Sequence, residues 1–172
     1  MNHDAYDEEY IRGILTSVKS VAIVGASRNT VRPSYFVVKY LKSKDFKVYP
    51  VNPGLAGQEI LGLKVYAKLT DIPEPIDMVD VFRNSEAALG IAKDAIAIGA
   101  KVVWMQLTVR NDEAATLAEA AGLKVVMNRC PKIEYGRLSG EIGWAGVNSG
   151  TISNSRGQLG AVGLQNRILG KQ

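Results

Sequence analysis

The sequence predicts a doubly wound α/β fold, a mostly parallel five-stranded sheet with helices on both faces. Three observations carry that expectation. Short apolar runs alternate with amphipathic helical patterns, as successive βαβ units require. The run Val21-Ala22-Ile23-Val24 is continuously apolar and mostly β-branched, which suits a central parallel strand covered on both sides. A chain of 172 residues with 47% hydrophobic content can bury a sizeable core in one unit.

Taken in order, residues 6–18 read as an amphipathic helix whose apolar face is Tyr6, Tyr10, Ile11, Ile14 and Leu15. The first strand is 21–24. A helix follows over 33–44, with Phe36, Val37, Tyr40 and Leu41 expected inward and Lys39 and Lys42 in solvent. The second strand is 46–51. Residues 54–75 read as loop, with a short edge element near Ile60–Tyr66 and a single turn at Leu69–Ile72. The third strand, 78–82, leads to a helix over 86–98, for which Ser85 is the preferred cap and Asn84 the second choice. The fourth strand is 102–106, the next helix 112–121 is capped by Asn111, and the fifth strand is 124–127. Residues 1–138 are expected to form one domain. The glycine-rich segment 139–172 is expected to be an arm of that domain, with a homo-oligomer as one use for it.

Composition removes several classes of function. No run of about 18 apolar residues is present, and Met1-Asn2-His3-Asp4 lacks the pattern of a signal peptide, so a cytoplasmic protein is expected. One cysteine, Cys130, excludes an internal disulfide, and the single histidine, His3, is expected on a loose terminus. A Cys/His metal cluster and a Ser-His-Asp triad are therefore out of reach within one chain. The net charge of +4 is modest and unevenly placed, with most of the excess in residues 136–172, and scattered cations without interleaved aromatics make a poor footprint for nucleic acid.

The first strand runs into Gly25-Ala26-Ser27-Arg28, and Pro33 then opens a helix. Gly25 permits a tight turn, Pro33 suits a first helical turn, and the free N–H groups there, beside Arg28 and Arg32, would attract a pyrophosphate. The turn is Rossmann-like but lacks two of the three glycines of G-x-G-x-x-G. The second strand ends at Val51-Asn52-Pro53-Gly54, without the carboxylate that would take the ribose diol of NAD. A neutral tip suits an adenosine carrying extra phosphate. In such sheets the ligand lies beyond the carboxyl ends of the strands, which here also bring Phe82, Arg83, Met105, Gln106, Leu107 and Cys130 to the rim.

The ordered series Val24-Gly25-Ala26-Ser27, Arg32-Pro33-Ser34-Tyr35, Val51-Asn52-Pro53, Val79-Asp80-Val81-Phe82-Arg83, Trp104-Met105-Gln106-Leu107 and Met127-Asn128-Arg129-Cys130-Pro131-Lys132-Ile133-Glu134 resembles the stand-alone CoA-binding proteins of bacteria and archaea. That family is similar to the CoA-binding domain of the succinyl-CoA synthetase alpha subunit. The resemblance implies coenzyme A as ligand. It implies Gly25, Ala26, Ser27 and Arg28 at the pyrophosphate, with Arg32 and Ser34 as further phosphate contacts. Val51, Asn52, Phe82 and Arg83 would surround the adenosine, and Met105, Gln106 and Leu107 would line the pantetheine arm.

Two departures separate the chain from the synthetase. It has no histidine beyond His3 to relay phosphate, and Leu55 stands where the synthetase places a lysine after its Pro-Gly turn. Binding of CoA or an acyl-CoA without independent catalysis is therefore the expectation. An acyl-CoA-using enzyme, or a nucleotide-responsive regulatory module, stays open; for the former, Cys130, Glu134 and Asp80 are the groups near the rim. Cys130 could also form a mixed disulfide with the CoA thiol, although a small, partly buried residue beside Pro131 is the preferred reading.

Overall fold

The structure is a computed structural model that describes residues 1–141, so the glycine-rich arm from residue 142 onward lies outside the described residues. Helix α1, Glu8–Ser17, starts at Asp7, whose carboxylate accepts the Glu9 N–H at 2.9 Å. Strand β1 is Ser20–Val24 and helix α2 is Pro33–Ser43, with Pro33 in its first turn. Strand β2, Lys47–Val51, is followed by a 3-10 turn at Pro53–Leu55 and a small antiparallel hairpin, β3 (Glu59–Ile60) with β4 (Leu63–Lys64). A second 3-10 turn spans Leu69–Asp71. Then come β5 (Met78–Val81), α3 (Ser85–Ala97), β6 (Val102–Met105), α4 (Asp112–Ala120), β7 (Lys124–Val126) and α5 (Pro131–Leu138).

The five-stranded sheet is parallel, in the order β2-β1-β5-β6-β7. Tyr66 extends it past β2 by a single parallel bridge to Val51. Chain order reverses between β1 and β5, the switch point at which doubly wound sheets open a crevice. Strand alternation sends Ile23, Met78 and Trp104 toward α1, α2 and α5. Ala22, Val51, Val79, Val81, Val103 and Met105 face the other side, with the small residues of α3 and α4.

Five expectations are corrected. The face of α2 that reaches the sheet is Ser34, Val37, Val38 and Leu41, the i, i+3, i+4, i+7 stripe, and Phe36 lies off it, 47% exposed. Asn84, not Ser85, caps α3 by accepting the Ala87 N–H, while the Ser85 hydroxyl accepts the N–H of Arg110. The single edge element near residues 60–66 is the β3–β4 hairpin plus the Tyr66 bridge. Helix α5 was not anticipated: it is short, contains Gly136, and is held by tertiary contacts, among them Arg137 donating to Glu134 and to Glu8 of α1. The N-terminus is docked rather than loose, with His3 buried against the Tyr6 hydroxyl and Arg110 paired with Asp4.

Asn111 caps α4 as expected. Its Oδ1 accepts the Ala114 N–H at 2.8 Å while its Nδ2 donates to the Ser85 carbonyl at 2.9 Å, tying α4 to the start of α3. Asn111→Ala removes both bonds and is expected to cost about 1 to 2 kcal/mol of stability in urea titration. A loss below a few tenths would show that water replaces the cap.

Among the described residues no helix is long and apolar enough to cross a membrane, and no His/Cys/Asp/Glu cluster could hold a metal ion.

Candidate functional site

The turn after β1 is shaped by its own backbone. Gly25 has φ 92°, and a Cβ there would sit 2.4 Å from the Phe82 carbonyl oxygen and 3.1 Å from Arg83 Cδ. Only glycine lets the ends of β1 and β5 approach this closely. The N–H groups of Gly25 and Ala26 both donate to the Val51 carbonyl, and Asn52 Nδ2 donates to the Ala26 carbonyl at 2.8 Å. Asn52 Oδ1 in turn accepts the Gly54 N–H, so this side chain locks the first turn to the tip of β2.

Beyond that lock the chain leaves donors free. The Ser27 hydroxyl accepts the Asn29 N–H and Asn29 Oδ1 accepts the Val31 N–H, two local turns that curl the loop. The N–H groups of Ser27 and Arg28 have no acceptor among the described residues, and no side chain caps α2. Arg28 is steadied by donating to Gln58 at 2.9 Å. Ser27 and Arg28 face an open cleft of about 670 Å³ lined by residues 27–30 together with Asn52, Gly54 and Leu55. Consecutive free N–H groups beside a guanidinium form an anion cradle.

A second pocket, of about 610 Å³, opens on the α2 and α5 side of the sheet. The loop before α2 belongs to both, since Val31 and Pro33 line the second while residues 27–30 line the first. Its wall is mostly apolar, and four of the chain's exposed large hydrophobics, Val31, Phe36, Leu107 and Ile133, stand around it. Phe82, Arg83, Gln106, Cys130 and Lys132 are among the other lining residues.

The expected site residues divide accordingly. Gly25, Ala26, Ser27, Arg28 and Asn52 meet at the anion cradle, and Phe82, Arg83, Gln106, Leu107 and Cys130 meet at the apolar pocket. Four expected residues lie elsewhere. Met105 and Val51 are buried on the α3 and α4 side, because strand alternation turns them from the pocket. Ser34 is buried on the inward stripe of α2, and Arg32 is exposed at the helix cap and lines neither cavity. The pocket also takes Val31, Phe36, Thr108 and Ile133, which the sequence reading missed. The 34-37-38-41 stripe was the signal that could have released Phe36 for that role.

Electrostatics set the groups of the pocket floor apart. Asp80, on the face of β5 that looks toward α2 and α5, has no exposed surface, and burial pushes its carboxyl up to about 8. Gln106 Nε2 donates to both of its oxygens, at 2.9 and 3.0 Å. Burial also pushes the Cys130 thiol up, against thiolate chemistry. Glu134 is engaged by Arg137.

A family described as CoA binding domain matches residues 19–136. The uncharacterized protein YneT of Bacillus subtilis is 36% identical over 125 residues, which is 73% of this chain and 91% of that protein. The ADP-forming acetate–CoA ligase II of Archaeoglobus fulgidus is 47% identical over 62 residues, 35% of this chain but 9% of the ligase. Among solved structures, a hypothetical protein from Pyrococcus horikoshii OT3 superposes with a TM-score of 0.75 at 43% identity, covering 80% of this chain and 96% of that one. The chain is thus similar to small proteins over most of their length and to the ligase over a small part of it. By the span of that family match, this chain belongs to the CoA binding domain family.

Proposed function

We propose that this protein binds coenzyme A, or an acyl-CoA, across the carboxyl ends of β1, β2, β5 and β6, and carries out no reaction of its own. One observation carries the reading: an anion cradle and an apolar pocket share a loop at the switch point of the sheet. CoA is a molecule of that shape, with a phosphorylated nucleotide at one end and a long neutral arm at the other. The diphosphate would lie on the Ser27 and Arg28 N–H groups, with Arg28 as counter-charge, and the arm would run past Phe82 toward Leu107. The neutral tip at Asn52 supports a phosphorylated ribose over the free diol of NAD. The same reading carries a cytoplasmic location and a homo-oligomer, the latter to be read by light scattering.

Calorimetric titration with CoA, acetyl-CoA, ATP and NAD tests it. CoA and acetyl-CoA are expected to bind more tightly than ATP or NAD, and Arg28→Ala to weaken CoA about tenfold, the effect of one charge-assisted contact. Tighter binding of NAD than of CoA would overturn the reading.

A further inference from the structure

The pocket floor holds a pair that its apolar wall does not require. Asp80 is fully buried in the middle of the sheet, and its hydrogen-bond partner is the side chain of Gln106, at the end of the adjacent strand and two residues closer to the rim. Gln106 is itself 5% exposed, yet it lines the pocket. Its Nε2 is shared between both carboxyl oxygens, so Asp80 takes up the amide's donor end. Oε1, the acceptor end, has no hydrogen-bond partner among the described residues. With its donor end held and Oε1 opening on the cavity, the amide presents an acceptor there.

We propose that Asp80 is a positioning residue, whose carboxylate holds Gln106 by Nε2 so that Oε1 is presented to the pocket as the acceptor for an amide N–H of the ligand's arm. This rests on CoA-type binding as proposed above and adds to it the residue that reads the arm. A carboxylate is acceptor-only, so it admits one orientation of the carboxamide, with the N–H end toward Asp80 and the carbonyl toward the pocket. A protonated carboxyl, or an asparagine, carries a donor of its own that competes for Oε1 and draws it away from the ligand. Arm recognition should therefore strengthen as Asp80 ionises. Few other groups bear on that ionisation. The inward face of α2 is Ser34, Val37, Val38 and Leu41, and that of α1 is Ile11, Ile14 and Leu15. From the α5 side the Cys130 thiol interacts with Asp80, and Lys132 acts on that thiol.

The test compares two ligands on the full chain by calorimetry. S-methyl-CoA carries the arm without a titrating thiol, and 3′-phosphoadenosine 5′-diphosphate lacks the arm. The ratio of their affinities is expected to rise about tenfold between about pH 7 and about pH 9 in the wild type. In Asp80→Asn and in Gln106→Leu the ratio should stay at its low-pH value throughout, while binding of the armless nucleotide is unchanged. The double variant should be no worse than either single one, as expected of two residues acting as one unit. If one variant does not fold, the other carries the same readout. A ratio that is independent of pH in the wild type, or equal loss of both ligands in the variants, overturns the positioning role and leaves CoA binding standing. Failure of the wild type to bind S-methyl-CoA at all overturns both.

Discussion

Gly25→Ala will unfold this protein more readily and dismantle its ligand site together. The added Cβ would meet the Phe82 carbonyl at 2.4 Å, a distance that side-chain repacking cannot relieve because the opposing atom is backbone. The φ of 92° adds strain of its own for any residue with a Cβ. The ends of β1 and β5 must move apart, and with them goes the hydrogen bond that the Phe82 N–H gives to the Val24 carbonyl at 2.8 Å. The expected loss is about 3 kcal/mol or more, read as a lower midpoint in urea with an unchanged slope. In the fraction that remains folded, CoA affinity should fall at least about tenfold, because the cradle at Ser27 and Arg28 is built on this turn. Wild-type stability in the variant would mean that the switch point tolerates separation, and the glycine would then have no structural claim on the site.

The second large effect has opposite signs in stability and in binding. Asp80 is fully buried, and burial raises its carboxyl from 3.8 to about 8. Below about pH 4 folded and unfolded chains both hold the proton, so burial carries no ionisation penalty. Between about pH 4 and pH 8 the unfolded chain ionises while the folded one keeps its proton, so stability falls steadily as pH rises; above about 8 the loss levels off. Asp80→Asn cannot ionise and should abolish this slope. The variant is expected to match the wild type near pH 4 and to exceed it by up to about 4 kcal/mol at pH 7, since each unit of pKa is worth about 1.36 kcal/mol. Urea titrations across that range check it, and a parallel pH dependence in the two proteins would contradict the assignment. A residue kept only for packing would not gain stability while losing discrimination for the arm. The same substitution is expected to do both.

Much of the architecture could be read in advance because it depends on local, repeating patterns. The strands at 21–24, 78–82 and 102–106 are apolar but for Asp80 and Gln106, since helices cover both faces of the sheet, and period-2 ambiguity never arises. Asn111 announced its helix because capping is a contact between near neighbours in the chain. The shape of the turn after β1 was equally legible, for a glycine, free N–H groups and a following proline lie within one short segment.

The errors fall where distant segments meet. Helix α5 is weak by local propensity and stands because α1 and α2 pack against it. His3 is fixed by Tyr6 and by Glu119, far along the chain, which no reading of the first few residues could anticipate. Met105 and Gln106 are neighbours that strand alternation sends to opposite faces, so a motif naming both could not say which one reaches the pocket.

The sequence alone determined the class of sheet, the turn that can cradle an anion and the absence of the ribose-binding acid, because short-range sterics and hydrogen bonding decide each of these. Only the tertiary structure decided that Phe36 belongs to a pocket rather than to the core, and that Asp80 and Gln106 form a buried pair beneath it. Those outcomes depend on which face of one element meets which face of another, and a spacing of 26 residues in sequence carries no record of a 2.9 Å contact in space.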